Sequence, residues 1–141
     1  MKLSNAQVLD YLKKLETLNR RVTSNAGQQR LEDAIFNRGK KRILFISGRK
    51  GGKSTGITKT ALKICALPQK SVYIIGPSRV QQKEILWKSN VIQNMAPPEW
   101  MGKAAESDLR FSFPWGSFIK IDGSENHPAG RGLTPHAIIF D

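Results

Sequence analysis

The chain has 141 residues, 39% of them hydrophobic, which is enough for one domain with a core of its own. A single cysteine excludes any internal disulfide and fits a reducing compartment, and no stretch approaches the ~18 consecutive apolar residues of a membrane span. The formal charge of +12 points to a polyanionic partner, and it is lopsided: residues 1–70 hold 16 of the 23 Lys and Arg but only 4 of the 11 Asp and Glu, while residues 71–141 hold 7 of each.

Residues 1–27 read as an amphipathic helix and a linker. Their mixture of charge and hydrophobe contains no apolar block of the kind a signal peptide carries. Ser4 and Gln7 have the spacing of a capping box, and Val8, Leu12, Leu15, Leu18 and Val22 recur every three or four residues. That stripe needs a cover, either this domain or another subunit. After a break at 23–27, a second helix is expected over 28–38, with Leu31, Ala34 and Ile35 on one side and Gly39 as its stop. Residues 43–46 form a buried strand in this reading. A helix from 52 to about 66 follows and places Cys65 in the core as a small hydrophobe.

A second buried strand is expected over 71–76 and a helix over 80–94, stopped by Pro97-Pro98. Residues 99–108 read as loop with about one helical turn. Alternation over 109–113 and 117–121 around Pro114-Trp115-Gly116 predicts a hairpin. Residues 123–135 are loop, and 137–140 are a short apolar strand running into Asp141. Trp87, Trp100 and Trp115 read as packing residues. Strands alternating with helices imply an α/β domain. The expected form is a three-layer domain of the P-loop NTPase type over 28–141, with a mainly parallel sheet that is incomplete at its C-terminal end. Its ligand belongs at the carboxyl ends of the strands.

Two motifs carry chemistry. The first is ILFISGRKGGKST at 43–55, an apolar run, a Gly-rich turn and Lys-Ser. It departs from G-x-x-x-x-G-K-[ST] at its first position, which is Ser47. Gly48, Gly51 and Gly52 leave room for backbone amides to converge on phosphate oxygens. Ser47, Gly48, Arg49, Lys50, Gly51, Gly52, Lys53, Ser54 and Thr55 are therefore the candidate nucleotide-binding residues. Lys53 would meet the β- and γ-phosphates of ATP, and the Ser54 hydroxyl would ligate Mg²⁺. The second motif is AIIFD at 137–141: four apolar residues, then a carboxylate placed to help hold that Mg²⁺. Outside the motifs, Lys13-Lys14, Arg20-Arg21 and Lys40-Lys41-Arg42 are basic clusters suited to nucleic-acid phosphates, or to a solvated face with no specific partner.

The order of these features resembles one family. Gln28-Gln29-Arg30 lies ahead of the loop SGRKGGKS, followed by VYIIGPS and Gln81-Gln82-Lys83, then GSFI at 116–119, GSEN at 123–126, Arg131-Gly132 and the Asp141 strand. The set is similar to the N-terminal ATPase domain of the large terminase subunit of tailed bacteriophages, the motor that pumps DNA into a procapsid. The resemblance implies an adenine contact from Gln28 or Gln29, with Gln29 preferred, and a γ-phosphate contact from Arg49 acting with Lys53 in catalysis. It also implies that Arg131 lies near the nucleotide or a subunit boundary.

For the parent protein the resemblance implies double-stranded DNA as cargo and a homo-oligomeric ring. That ring would work with a small terminase subunit and a portal protein in the host cytoplasm, with no membrane partner. The family places a water-activating Glu directly after the Asp and a nuclease domain further on. Both fall outside this sequence, so the chain is expected to be an N-terminal part of a longer motor with little hydrolysis of its own. Two other readings stand beside this one: a nucleotide- or DNA-binding module that does not hydrolyse, and a helicase-like P-loop ATPase outside packaging.

Overall fold

The computed structural model describes residues 3–40, 42–44, 52–124 and 135–140. Helix α1 (Asn5–Arg21) begins with the expected capping box: Ser4 Oγ accepts the Gln7 N–H at 3.2 Å, and Gln7 Oε1 accepts the Ser4 N–H at 2.9 Å. Its apolar stripe divides. Leu18 is fully buried, and Tyr11, Leu15 and Val22 lean on the core, whereas Val8 and Leu12 are exposed. Two cations fasten the helix. Lys14 Nζ sits 2.7 Å from Asp10 and 3.5 Å above the Trp115 ring, and Arg21 donates to the carbonyls of Met95 (3.2 Å) and Asn94 (3.0 Å).

Helix α2 (Ala26–Glu32), capped by Asn25, widens into a π-helical segment over Asp33–Asn37, and Gly39 follows at φ +61°. The second helix expected from the sequence is thus present, but in two geometries. Ile43 and Leu44, expected to start a buried strand, are exposed and carry no strand pairing; the other half of that segment lies outside the described residues. Helix α3 (Lys53–Cys65) and strand β1 (Ser71–Gly76) match their expected positions.

The long helix expected over 80–94 is broken. Helix α4 (Arg79–Gln82) runs into a π-helical segment, Lys83–Lys88, and Asn90 at φ +56° separates this from α5 (Val91–Met95). A single left-handed residue ends the hydrogen-bond ladder, and Asn tolerates that conformation better than most. The expected helical turn after Pro97 is a 3₁₀ turn at Pro98–Trp100. Strand β2 (Lys103–Ala105) was not expected from its Ala- and charge-rich sequence. Strands β3 (Arg110–Ser112), β4 (Phe118–Gly123) and β5 (Ala137–Phe140) fall in the expected segments.

The five strands form one sheet in the order β2-β3-β4-β1-β5. Strand β1 is parallel to both β4 and β5, but β2–β3 and β3–β4 are antiparallel. The sheet is therefore mixed, which corrects the mainly parallel arrangement expected from the sequence. The hairpin turn imposes the change. Phe113 N–H bonds Ser117 O at 2.8 Å across Gly116 at φ +86°, and so short a link joins only antiparallel neighbours. Register brings the carboxyl ends of the parallel strands to one edge, with Gly76 opposite Gly123 and Ile75 opposite Phe140.

The core gathers Val72, Ile74, Ile119 and Ile121 of the sheet against Ala61, Leu62 and Cys65 of α3. Trp100 and Trp115 meet edge-on at 5.6 Å, Phe113 stacks on Trp115, and Trp87 packs on Phe111 at 4.6 Å, so all three indoles are packing residues. Among the described residues no helix is long and apolar enough to cross a membrane.

Candidate functional site

The GGKS end of the Gly-rich motif lies at the start of α3. Gly52 adopts φ +77°, ψ 26°, a left-handed conformation in which a side chain is strained. Lys53 is the first helical residue, and Lys53, Ser54 and Thr55 are half-buried. Among the described residues no side chain caps this end; the first turn closes through the Gly56 N–H to Gly52 O bond at 2.8 Å. Such an end presents backbone amides with no intrahelical partner, at the positive pole of the helix dipole.

The two upstream glutamines part company. Gln28 is buried at 4% exposure. Its Oε1 accepts the Asn25 N–H at 2.8 Å, and its Nε2 donates to Gly52 O at 2.8 Å. Gln29 lies on the exposed side of α2, where its Nε2 donates to Ser24 O at 3.0 Å. The structure therefore brings Gln28 together with the end of the Gly-rich motif and leaves Gln29 at the surface. Ser47, Gly48, Arg49, Lys50, Gly51, Arg131 and Asp141 lie outside the described residues.

Lys53 and Ile57 of α3, Leu31 and Ile35 ahead of it, and Ile139 and Phe140 of β5 line one cavity of about 900 Å³. The end of β5, the strand expected to carry the metal-binding Asp, thus faces the same space as the first turn of α3. Ile138 and Phe140 are exposed along β5, at 44% and 74%.

Two polar clusters escaped the sequence reading. Beneath the start of α3, Lys59 Nζ donates to Ser24 Oγ at 2.6 Å and lies 3.4 Å from Glu32. Ser24 Oγ is in turn 3.1 Å from both Glu32 oxygens. The Lys59 ammonium is 4% exposed, so Glu32 supplies the counter-charge that a buried cation requires. Nearby, burial pushes the Lys63 ammonium below the usual lysine range, against an opposing pull from Glu32, and the group lies 4.5 Å above the Phe36 ring. Nothing in the local sequence marks Lys59, because its partner is 27 residues upstream and reaches it only through the packing of α2 on α3.

The second cluster is at the carboxyl edge of the sheet. Asp122, 7% exposed, accepts the Gly123 N–H at 2.8 Å and lies 3.7 Å from Arg79, which also donates to Ser107 O at 2.6 Å. A signal for Asp122 was present: IKID at 119–122 is a strand ending in a carboxylate, as AIIFD is. Gly76, opposite Gly123, has no room for a Cβ, which would fall 1.8 Å from the buried Gln82 side chain.

A scan against protein-family models gives no match to this chain, and a search of curated proteins gives no relative.

Proposed function

We propose that the chain is the ATP-binding portion of a motor that couples ATP hydrolysis to translocation of double-stranded DNA, as in viral genome packaging by a terminase large subunit. One observation carries the reading. The GGKS sequence falls at the start of a 13-residue helix, with Gly52 left-handed and the end of β5 opening onto the same cavity as Lys53. An anion at that position gains from the helix dipole, from the backbone of the first helical turn and from a lysine ammonium together.

In this reading Lys53 neutralises the β- and γ-phosphates, and Arg49 stabilises charge that grows on the transferred phosphoryl group. The donor set at Ser54 and Asp141 is all oxygen, which suits Mg²⁺, and the bound ion would screen the triphosphate charge. Arg131 would approach the nucleotide or a neighbouring subunit, and Gln29, exposed beside the buried Gln28, would reach the adenine. DNA is the polyanion that the basic half of the chain would meet. The working assembly would be a homo-oligomeric ring with the small terminase subunit and the portal protein.

Titration with a fluorescent ATP analogue in the presence of Mg²⁺ tests the site. The wild-type chain is expected to bind. Lys53→Ala is expected to weaken binding at least about tenfold, roughly 1.4 kcal/mol, with an unchanged far-ultraviolet dichroism spectrum. Equal affinity in the two proteins, or none in the wild type, would overturn the reading.

A further inference from the structure

We infer that Gln28 is a positioning residue: its side chain clamps α2 onto Gly52, at the end of the Gly-rich motif, and sets where α3 begins, and it does not read the base. Both polar ends of the amide are engaged inside the protein, Oε1 by the Asn25 N–H at 2.8 Å and Nε2 by Gly52 O at 2.8 Å. At 4% exposure the side chain has no face left for a ligand. Gly52 O thereby accepts two bonds, one from Gln28 and one from the Gly56 N–H, so one atom joins the clamp to the first turn of α3.

The fit is tight on the other side as well. A Cβ added at Gly52 would lie 2.5 Å from Gln28 Nε2 and 3.2 Å from Asn25 Nδ2. Gly52 is thus required twice, for its left-handed backbone and for the space the glutamine fills. The base of the clamp is rigid. Asn25 and Gln28 form a reciprocal capping box, with the Gln28 N–H on Asn25 Oδ1 at 2.9 Å. The Ser24–Glu32–Lys59 cluster ties the other end of α2 to α3 as well.

The clamp is a statement about these contacts. Its consequence for ligands rests on the anion-site reading above: a residue that orients the turn affects every phosphate ligand alike, whereas a base-reading residue affects only nucleotides of its own base.

Two measurements on the full chain separate these ideas. The first is a thermal double-mutant cycle with Gln28→Ala and Gly52→Ala. The loss of Tm caused by Gly52→Ala is expected to be at least about 3 °C smaller when Gln28 is already Ala, because the collision is gone and only the backbone cost remains. Additive losses would overturn the clamp. The second compares ATP, GTP and inorganic tripolyphosphate as competitors of the fluorescent analogue. Gln28→Ala, and Gln28→Glu, which keeps the shape but lacks the donor, are expected to weaken all three by the same factor, about five- to tenfold, with the ATP-to-GTP ratio unchanged. Selective loss of ATP with tripolyphosphate untouched would overturn the inference and make Gln28 a base contact. Coupling in the cycle with no triphosphate binding by the wild-type chain would support the clamp and overturn the anion-site reading alone.

Discussion

The Cys65 thiol is sealed in the core at zero exposure, its Sγ is 3.4 Å from Phe118 O, and burial pushes its pKa from the ordinary 9.0 up to about 12. The folded chain therefore holds this proton where the unfolded chain releases it. The sign follows directly. Below pH 9 the group is neutral in both states and its contribution is intact; between pH 9 and about 12 the unfolded state binds fewer protons, so stability falls as pH rises. The slope in that window is expected to reach about 1.4 kcal/mol per pH unit, measured by urea unfolding, and Cys65→Ala should flatten it. A thiol reagent at pH 8 should react only at the rate of unfolding.

The sequence shows Cys65 as a core residue through helical periodicity, and the start of α3 through the Gly-rich motif ahead of it. It was silent about Lys59, Glu32 and Ser24, since a buried ion pair is created by two helices meeting and leaves no trace in either one alone.

At the scale of elements, α1 shows how charge can be structural. Lys14 and Arg21 are committed to the rest of the molecule, while Arg20 pairs with Glu16 one turn away on the same helix and Lys13 is exposed. Arg21→Ala removes two charge-assisted bonds to carbonyls and is expected to cost about 1–3 kcal/mol. Arg20→Ala, which loses a surface pair, is expected to stay within about 0.5 kcal/mol. Urea midpoints measured by Trp fluorescence would compare the two, since Trp115 lies under Lys14 at the docking surface.

Element identity was largely legible, because strands over 71–76 and 137–140 are short apolar runs and α1 carries its own cap. The breaks were less so. The π-helical segments at Asp33–Asn37 and Lys83–Lys88 keep helical composition, and the left-handed Asn90 sits inside an apolar pattern that reads as continuous. Strand β2 was missed because its pairing comes from β3 next to it and not from any β-propensity of Lys103–Ala105.

For the molecule as a whole, the charge asymmetry is the clearest global signal, and the docking of α1 refines how it can be tested. Neutralising Lys14 or Arg21 confounds loss of charge with loss of packing, so Lys13→Gln and Arg20→Gln are the informative pair. If the basic face meets DNA phosphates, the plot of log affinity against log salt should lose about 0.9 in slope for each contact removed, with affinity falling across all sequences alike. Fluorescence anisotropy with an arbitrary duplex would read this, and an unchanged slope would free the face from any DNA role. The mixed sheet was a global feature misjudged from the sequence. Alternating strands and helices argued for parallel pairing, while the hairpin, read correctly as a local feature, was not carried through to its effect on the sheet: β3 alone runs against the other strands, which makes two of the four pairings antiparallel.

Strand β1 joins distant parts of the chain, and this sets an order of assembly. The β3–β4 hairpin closes within a few residues, and the Gln28–Gly52 bond spans 24. Seating β5 beside β1 closes a gap of 65, as the Ser71–His136 bond records. Chain closure becomes entropically dearer with separation, so the near pairings form early and the far one late. On a ribosome, the turn around Gly52 would be in place while the strand that faces it was still being synthesised. A nascent chain would then pass through a stage with one wall of the cavity, at the start of α3, already built and the other, β5, still to come.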